Sequence, residues 1–174
     1  MNGKINILRA ILIILLLIMF GTIFNFSNQN GEKSGSLSRE VTEEVTKNIN
    51  SIQKLEKSEK EKVLGKIEHY IRKLAHFSLY LIVGILTMSL MCTFDLKNVK
   101  RIFISLAIGV FYAMSDEFHQ AFIPDRTASI FDVFIDSCGV FCGIILVYFC
   151  LKLYFALHKK YDMCAKKVEN CKDV

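Results

Sequence analysis

The chain has 174 residues, 52% of them hydrophobic, a mean hydropathy of +0.36, and a formal charge of +5 from 22 Lys and Arg against 17 Asp and Glu. Its apolar residues come in long blocks with the charges between them, which excludes a soluble domain with one core inside a charged shell and leaves no room for a second folded domain. The basic excess brings no recognition motif and no basic stretch interleaved with exposed aromatics, so nucleic acid is not an expected partner.

The first apolar block, about 5–26, contains AILIILLLIMFGTIF and a single early charge, Arg9. It is long enough to cross a hydrocarbon core of about 30 Å. Its basic start fits a signal peptide, but the run is too long and no small-x-small site follows before Asn28, so a retained helix is expected. Residues 27–73 are polar. Within them Leu37, Val41, Val45, Ile49 and Ile52 recur at helical spacing, as do Val63, Leu64, Ile67, Ile71 and Leu74. These predict amphipathic helices lying on the membrane surface or on the other spans.

Further spans are expected at about 74–94, 101–122 and 130–155. A short hinge, DLKNVKR, separates the second from the third, and a polar segment around Pro124, the only proline, separates the third from the fourth. A basic tail, 156–174, carries Lys159, Lys160, Lys166 and Lys167. The expected fold is thus an all-α membrane protein with about four transmembrane helices in one domain, plus amphipathic helices in the 27–73 loop.

Orientation follows from charge. Lys4, Arg9, the hinge residues Lys97, Lys100 and Arg101, and the tail are basic, whereas 116–136 holds five acids and one Arg. The positive-inside rule places both termini and the hinge in the cytoplasm of a multi-pass cell-membrane protein, with the long loop and the acidic segment outside. The long loop, ten basic residues against eight acidic, adds little. Of the six cysteines, Cys138, Cys142 and Cys150 fall in an apolar span, where Cys acts as a small hydrophobe. No Cys-x-x-Cys occurs, so neither a disulfide framework nor a zinc knuckle is expected.

Three polar clusters interrupt the spans. Arg72, Lys73, His76 and Tyr80 enter the second; Arg72, His76 and Tyr80 share one helix face at i, i+4, i+8. Asp116, Glu117, His119 and Gln120 end the third. Arg126, Asp132 and Asp136 surround the start of the fourth. An ionised group in hydrocarbon costs several kcal/mol unless paired or wetted, so the clusters are expected to meet and pair, with Arg126 touching at least one of Asp116, Glu117, Asp132 or Asp136. The plainer reading is that such residues snorkel at helix ends, Asp132 caps the fourth helix and Asp136 pairs with Arg126 for stability alone. Gly139 and Gly143 make a Gly-x-x-x-Gly that suits either internal packing or a homodimer seam.

Lys73-x-x-His76-Phe77-x-x-Tyr80, Asp116-Glu117-x-x-Gln120, then Arg126 and Asp132 with Gly139 and Gly143, closely resembles the VanZ-like family. Phe26-Ser27-x-Gln29, Ser34 and Ser38 extend the resemblance. Where the family commonly has Pro-Gly-Arg this chain has Pro124-Asp125-Arg126, and it has Asp136 where the family often has Asn. The resemblance implies a multi-pass bacterial membrane protein, and its namesake is associated with low-level resistance to teicoplanin, a glycopeptide acting at the outer surface.

Two functions fit these residues. A binding or modulating protein would use Arg72, Lys73 and Arg126 for the phosphates of a lipid-linked cell-wall precursor, with Gln120 and Tyr80 as oriented hydrogen-bonding groups. An intramembrane enzyme would use Glu117 or Asp116 as general base, His76 as acid or base, and Arg126 against developing phosphate charge. A metal held by His76, Asp116 and Asp132 is a variant of the enzyme, although no metallohydrolase spacing, Gly-x-Ser-x-Gly elbow or P-loop is present. No cofactor is implied. The bilayer is the expected environment, and oligomeric state is not legible.

Overall fold

The computed structural model describes residues 2–28, 31–49, 52, 55–124 and 128–170; the side chains at 2, 31–35, 37 and 160–170 are not among those described. The described residues form five long α-helices and no strand: α1 (Asn2–Ser27), α2 (Gly31–Thr46), α3 (Lys57–Cys92), α4 (Asn98–Gln120) and α5 (Ile130–Asn170). Four of them, all but α2, are long and apolar enough to cross a membrane. Helices suit this setting because each satisfies its own backbone polar groups, which lipid cannot do.

The helices outrun the expected spans. The amphipathic segment of Val63–Leu74 and the second span are one 36-residue helix, α3. At 1.5 Å per residue it is about 54 Å long, so its first half projects beyond a 30 Å core. Charge marks where a helix leaves hydrocarbon and not where it ends, and nothing between Lys57 and Cys92 breaks it. The same holds for α5, whose 41 residues carry the fourth span on through most of the basic tail.

Packing centres on α3 and α5, with α4 against both and α1 against α3 and α4. The buried core is made by Leu16, Ile23, Tyr80, Val83, Met88, Ala113, Val140 and Ile144. Large apolar side chains also cover the outside: Phe103, Phe111 and Phe118 on α4, Phe122 just after it, and Phe131 and Phe134 on α5 are all more than 60% exposed. In water such a surface would be untenable; in a bilayer it is the lipid-facing coat.

Gly139 and Gly143 lie inside this packing. A Cβ on Gly139 would come within 2.5 Å of the Phe77 carbonyl oxygen, and one on Gly143 would meet the Leu81 carbonyl. The Gly-x-x-x-Gly is therefore an internal seam between α5 and α3. Between its two glycines Val140, fully buried, sits against Gly84 of α3 and Gly109 of α4. Three helices approach closely at that one side chain.

α2 packs on α3 through its hydroxyl face. Ser38, Thr42 and Thr46 are buried, while the apolar stripe Val41, Val45 and Ile49 is 49%, 59% and 41% exposed. The hydroxyls of Thr42 and Thr46 bond back to the carbonyls of Ser38 and Thr42 at 2.7 Å, and Ser38 donates to Glu68 of α3 at 3.3 Å. Satisfied small hydroxyls allow close helix approach, leaving the apolar stripe free for the membrane surface.

At the end of the bundle where α3 stops, Arg9 donates to the Thr93 hydroxyl at 3.1 Å and to the Thr93 carbonyl at 2.6 Å, with its guanidinium 4.2 Å from the centre of the Phe94 ring. The early charge in the first span is thus held by the opposite helix end.

Candidate functional site

The other end of the bundle collects the polar clusters, because α1 and α4 end there, α5 begins there and α3 passes through. Each spanning helix contributes. Ser27 comes from the last turn of α1, Lys73, His76 and Tyr80 from α3, Asp116, Glu117 and Gln120 from α4, and Asp132 and Asp136 from α5.

Asp116, Glu117, Gln120 and Asp136 are buried, between 3% and 9% exposed. The Gln120 amide donates to the Asp116 carboxylate and to the Ser27 hydroxyl, both at 3.1 Å, tying α4 to α1. Glu117 accepts the Ser129 backbone N–H at 2.5 Å, which anchors the loop entering α5. Ser129 itself caps that helix, its hydroxyl accepting the Phe131 N–H at 3.2 Å. Capping is therefore done by Ser129, and Asp132 is released for another partner.

That partner is Lys73, whose ammonium lies 2.7 Å from Asp132 and 5.0 Å from the centre of the Phe131 ring. The pair links α3 to α5 at the mouth of the site, with side chains 23% and 35% exposed. At that exposure a modest energy is expected. A double-mutant cycle of Lys73→Met and Asp132→Asn, read as unfolding free energy in detergent, should return a coupling of about 1 kcal/mol. A coupling near zero would show that the pair does not hold the mouth together.

Below the pair, His76, Asp116 and Asp136 each present a nitrogen or oxygen such that the three atoms lie within 4.8 Å of one another. Asp136, and not Asp132, completes this group: one helical turn farther along α5, it points into the bundle where Asp132 points to Lys73. Tyr80 is fully buried and its hydroxyl faces Asp116 and Asp136. Arg72 stands apart, half-buried, with its guanidinium 3.5 Å from His69 on its own helix. Arg126, and so its expected contact with an acid, lies outside the described residues, as do Gln29 and the Ser34 side chain.

The arrangement extends over most of the chain, and so does its likeness to known sequences. A family model described as VanZ/LLP1 matches residues 12–152. The chain belongs to the VanZ/LLP1 family. No curated protein and no solved structure matches it.

The VanZ/LLP1 match runs from within α1 to within α5 and takes in every polar side chain of this site. Two contributors escape sequence reasoning. Ser129 is an ordinary loop serine until Glu117 is found beside its N–H, although its place just before an apolar helical run is an N-cap signal. Tyr112 donates to the Phe20 carbonyl at 2.6 Å and stacks on the Phe20 ring at 3.9 Å, joining α4 to α1 just below the site. Nothing in its sequence setting marks it apart from the lipid-facing aromatics of α4.

Proposed function

We propose that the polar end of this VanZ/LLP1 protein opens on the outer face of the cell membrane and binds a lipid-linked component of the envelope, altering access of glycopeptides such as teicoplanin to the wall. The observation that carries this reading is the convergence of polar groups from all four spanning helices at the bundle end opposite Arg9 and the basic 95–101 hinge. Gathering that many ionisable groups at one depth is costly unless they are used. With both termini cytoplasmic, that end is the outer one. Lys73 at the mouth, with Arg72 beside it in sequence and Arg126 in the segment leading to the fourth span, supplies positive charge for phosphate. A groove of about 500 Å³ between α1 and α4, lined by Phe20, Phe103, Phe111 and Tyr112, reaches Ser115, the neighbour of Asp116, and suits the apolar tail of such a ligand.

Cysteine labelling tests the orientation. In a cysteine-free background, an impermeant thiol reagent added outside should modify Ser58→Cys and leave Lys159→Cys untouched. The reverse pattern would put the site in the cytoplasm and end the proposal. Expression in a teicoplanin-sensitive Gram-positive host should then lower susceptibility, and Lys73→Gln should cancel the effect at matched protein level.

One observation favours a second reading, an intramembrane hydrolase or transferase acting on a lipid-linked phosphate. It is the approach of His76, Asp116 and Asp136 to one another at the base of the site, a set capable of proton transfer or of holding a Lewis acid.

A further inference from the structure

We propose that His76, Asp116 and Asp136 bind a divalent first-row metal ion, of the Zn²⁺ or Mn²⁺ type, with the Tyr80 hydroxyl as a fourth donor facing it. The donors come from three helices, α3, α4 and α5, and their ligand atoms lie within 4.8 Å of one another. Metal–ligand bonds of about 2.0–2.2 Å draw such atoms to within roughly 3–4 Å of one another, a change within reach of side-chain rotation alone. One imidazole and two carboxylates form a mixed nitrogen and oxygen set that suits Zn²⁺ or Mn²⁺ and disfavours the softer ions that seek thiolate.

Charge and poorly satisfied polar atoms make the independent case. Asp116, Glu117 and Asp136 are all buried and feel one another's charge, and Lys73 at the mouth, paired with Asp132, offsets only part of it. Buried carboxylates this close together repel one another, and a dication among them removes the repulsion. The Tyr80 hydroxyl and Asp116 Oδ1 are both buried; Tyr80 interacts with the Asp116 carboxylate, but the contact falls short of a well-formed hydrogen bond. Tyr80 is fully buried and faces both carboxylates, so its oxygen is aimed into the same space. Poorly satisfied polar atoms of this kind call for a partner.

The scaffold is rigid where the site needs it. Gly139 lies three residues beyond Asp136 and brings the α5 backbone against Phe77, the neighbour of His76. Two of the three ligands, His76 and Asp136, therefore project from helices whose spacing is set by backbone contact, which preorganises a site better than loops do. His76 is half-buried where Asp116 and Asp136 are buried, which makes it the most solvent-accessible of the three donors. This inference does not rest on the envelope ligand proposed above, and its test contains no such ligand.

The full chain, purified in detergent and stripped with a chelator, is titrated with Mn²⁺ while free Mn²⁺ is followed by its paramagnetic resonance signal. Mn²⁺ is chosen because the chain's cysteines compete poorly for it. One ion per chain should be taken up, displaced by Zn²⁺, and accompanied by a rise in Tm that a chelator reverses. His76→Gln and Asp136→Asn should each weaken uptake by at least about tenfold, while the exposed Asp95→Asn at the opposite end should not. Should either variant fail to fold, Tyr80→Phe, which removes one oxygen, is expected to weaken binding severalfold. Wild-type protein that takes up no stoichiometric Mn²⁺ and shows no shift in Tm would overturn the proposal. So would folded His76→Gln and Asp136→Asn that bind like wild type.

Discussion

Gly143→Leu should leave a protein that inserts but does not hold its bundle, with a loss of about 3 kcal/mol, at the upper end of what over-packing costs. The reason lies in what the new side chain meets. A Cβ at 143 reaches the Leu81 carbonyl and lies 2.8 Å from the Ile85 amide nitrogen, so backbone and not a flexible side chain must move. α3 and α5 form the most extensive helix contact, and prising them apart also lifts Val140 from Gly84 and Gly109. Loss of cooperative thermal unfolding in detergent would be the readout. Gly21→Ala and Gly65→Ala supply the contrast, because a Cβ at either position finds nothing within 4 Å. Both should be neutral or raise stability by up to about 1 kcal/mol through helix propensity. Equal effects at 143 and 21 would mean that the seam is not formed in the membrane.

Glu117→Gln should preserve most of the function if the site binds and does not catalyse. Glu117 accepts the Ser129 N–H through one oxygen, and an amide keeps an oxygen in the same place. The loop into α5 should stay anchored, and the shape of the site with it. Glu117→Ala should not be tolerated, because Ser129 N–H then loses its acceptor. Were Glu117 a general base, the amide would abolish proton transfer, and a loss of about a hundredfold or more would follow at unchanged protein level. Arg126→Lys adds a second axis. It keeps the charge but loses the planar fork that meets phosphate through two bonds, so weakened recognition is expected in either case. Teicoplanin susceptibility in a sensitive host is one readout, taken after matching expression and insertion. Tolerated Glu117→Gln with damaging Arg126→Lys supports binding; near-complete loss with Glu117→Gln favours the enzyme.

The sequence by itself determined the number of spanning helices, the all-α class and the family. Each rests on a local signal: block length against bilayer thickness, the absence of breaking residues, and short motifs that need no knowledge of neighbours. It also determined that Lys73, His76, Tyr80, Asp116, Glu117, Gln120, Asp132 and Asp136 are out of place in hydrocarbon, since cost depends on depth alone. Helix ends were less legible, because α3 and α5 continue as helices through residues that composition assigns to loop or tail.

Only the tertiary structure decided partners, because which faces meet depends on helix rotation and on contacts between residues far apart in the chain. It gave Lys73 to Asp132 and left Asp136, one turn deeper, to His76 and Asp116. It turned the hydroxyl face of α2 inward, where periodicity left Val41 and Val45 to either the membrane surface or the other spans, since small hydroxyls that bond their own helix permit an approach that branched apolar side chains block. And it made the Gly-x-x-x-Gly an internal seam: the same five residues serve two chains or one, and only the position of Phe77 and Leu81 against Gly139 and Gly143 distinguishes them.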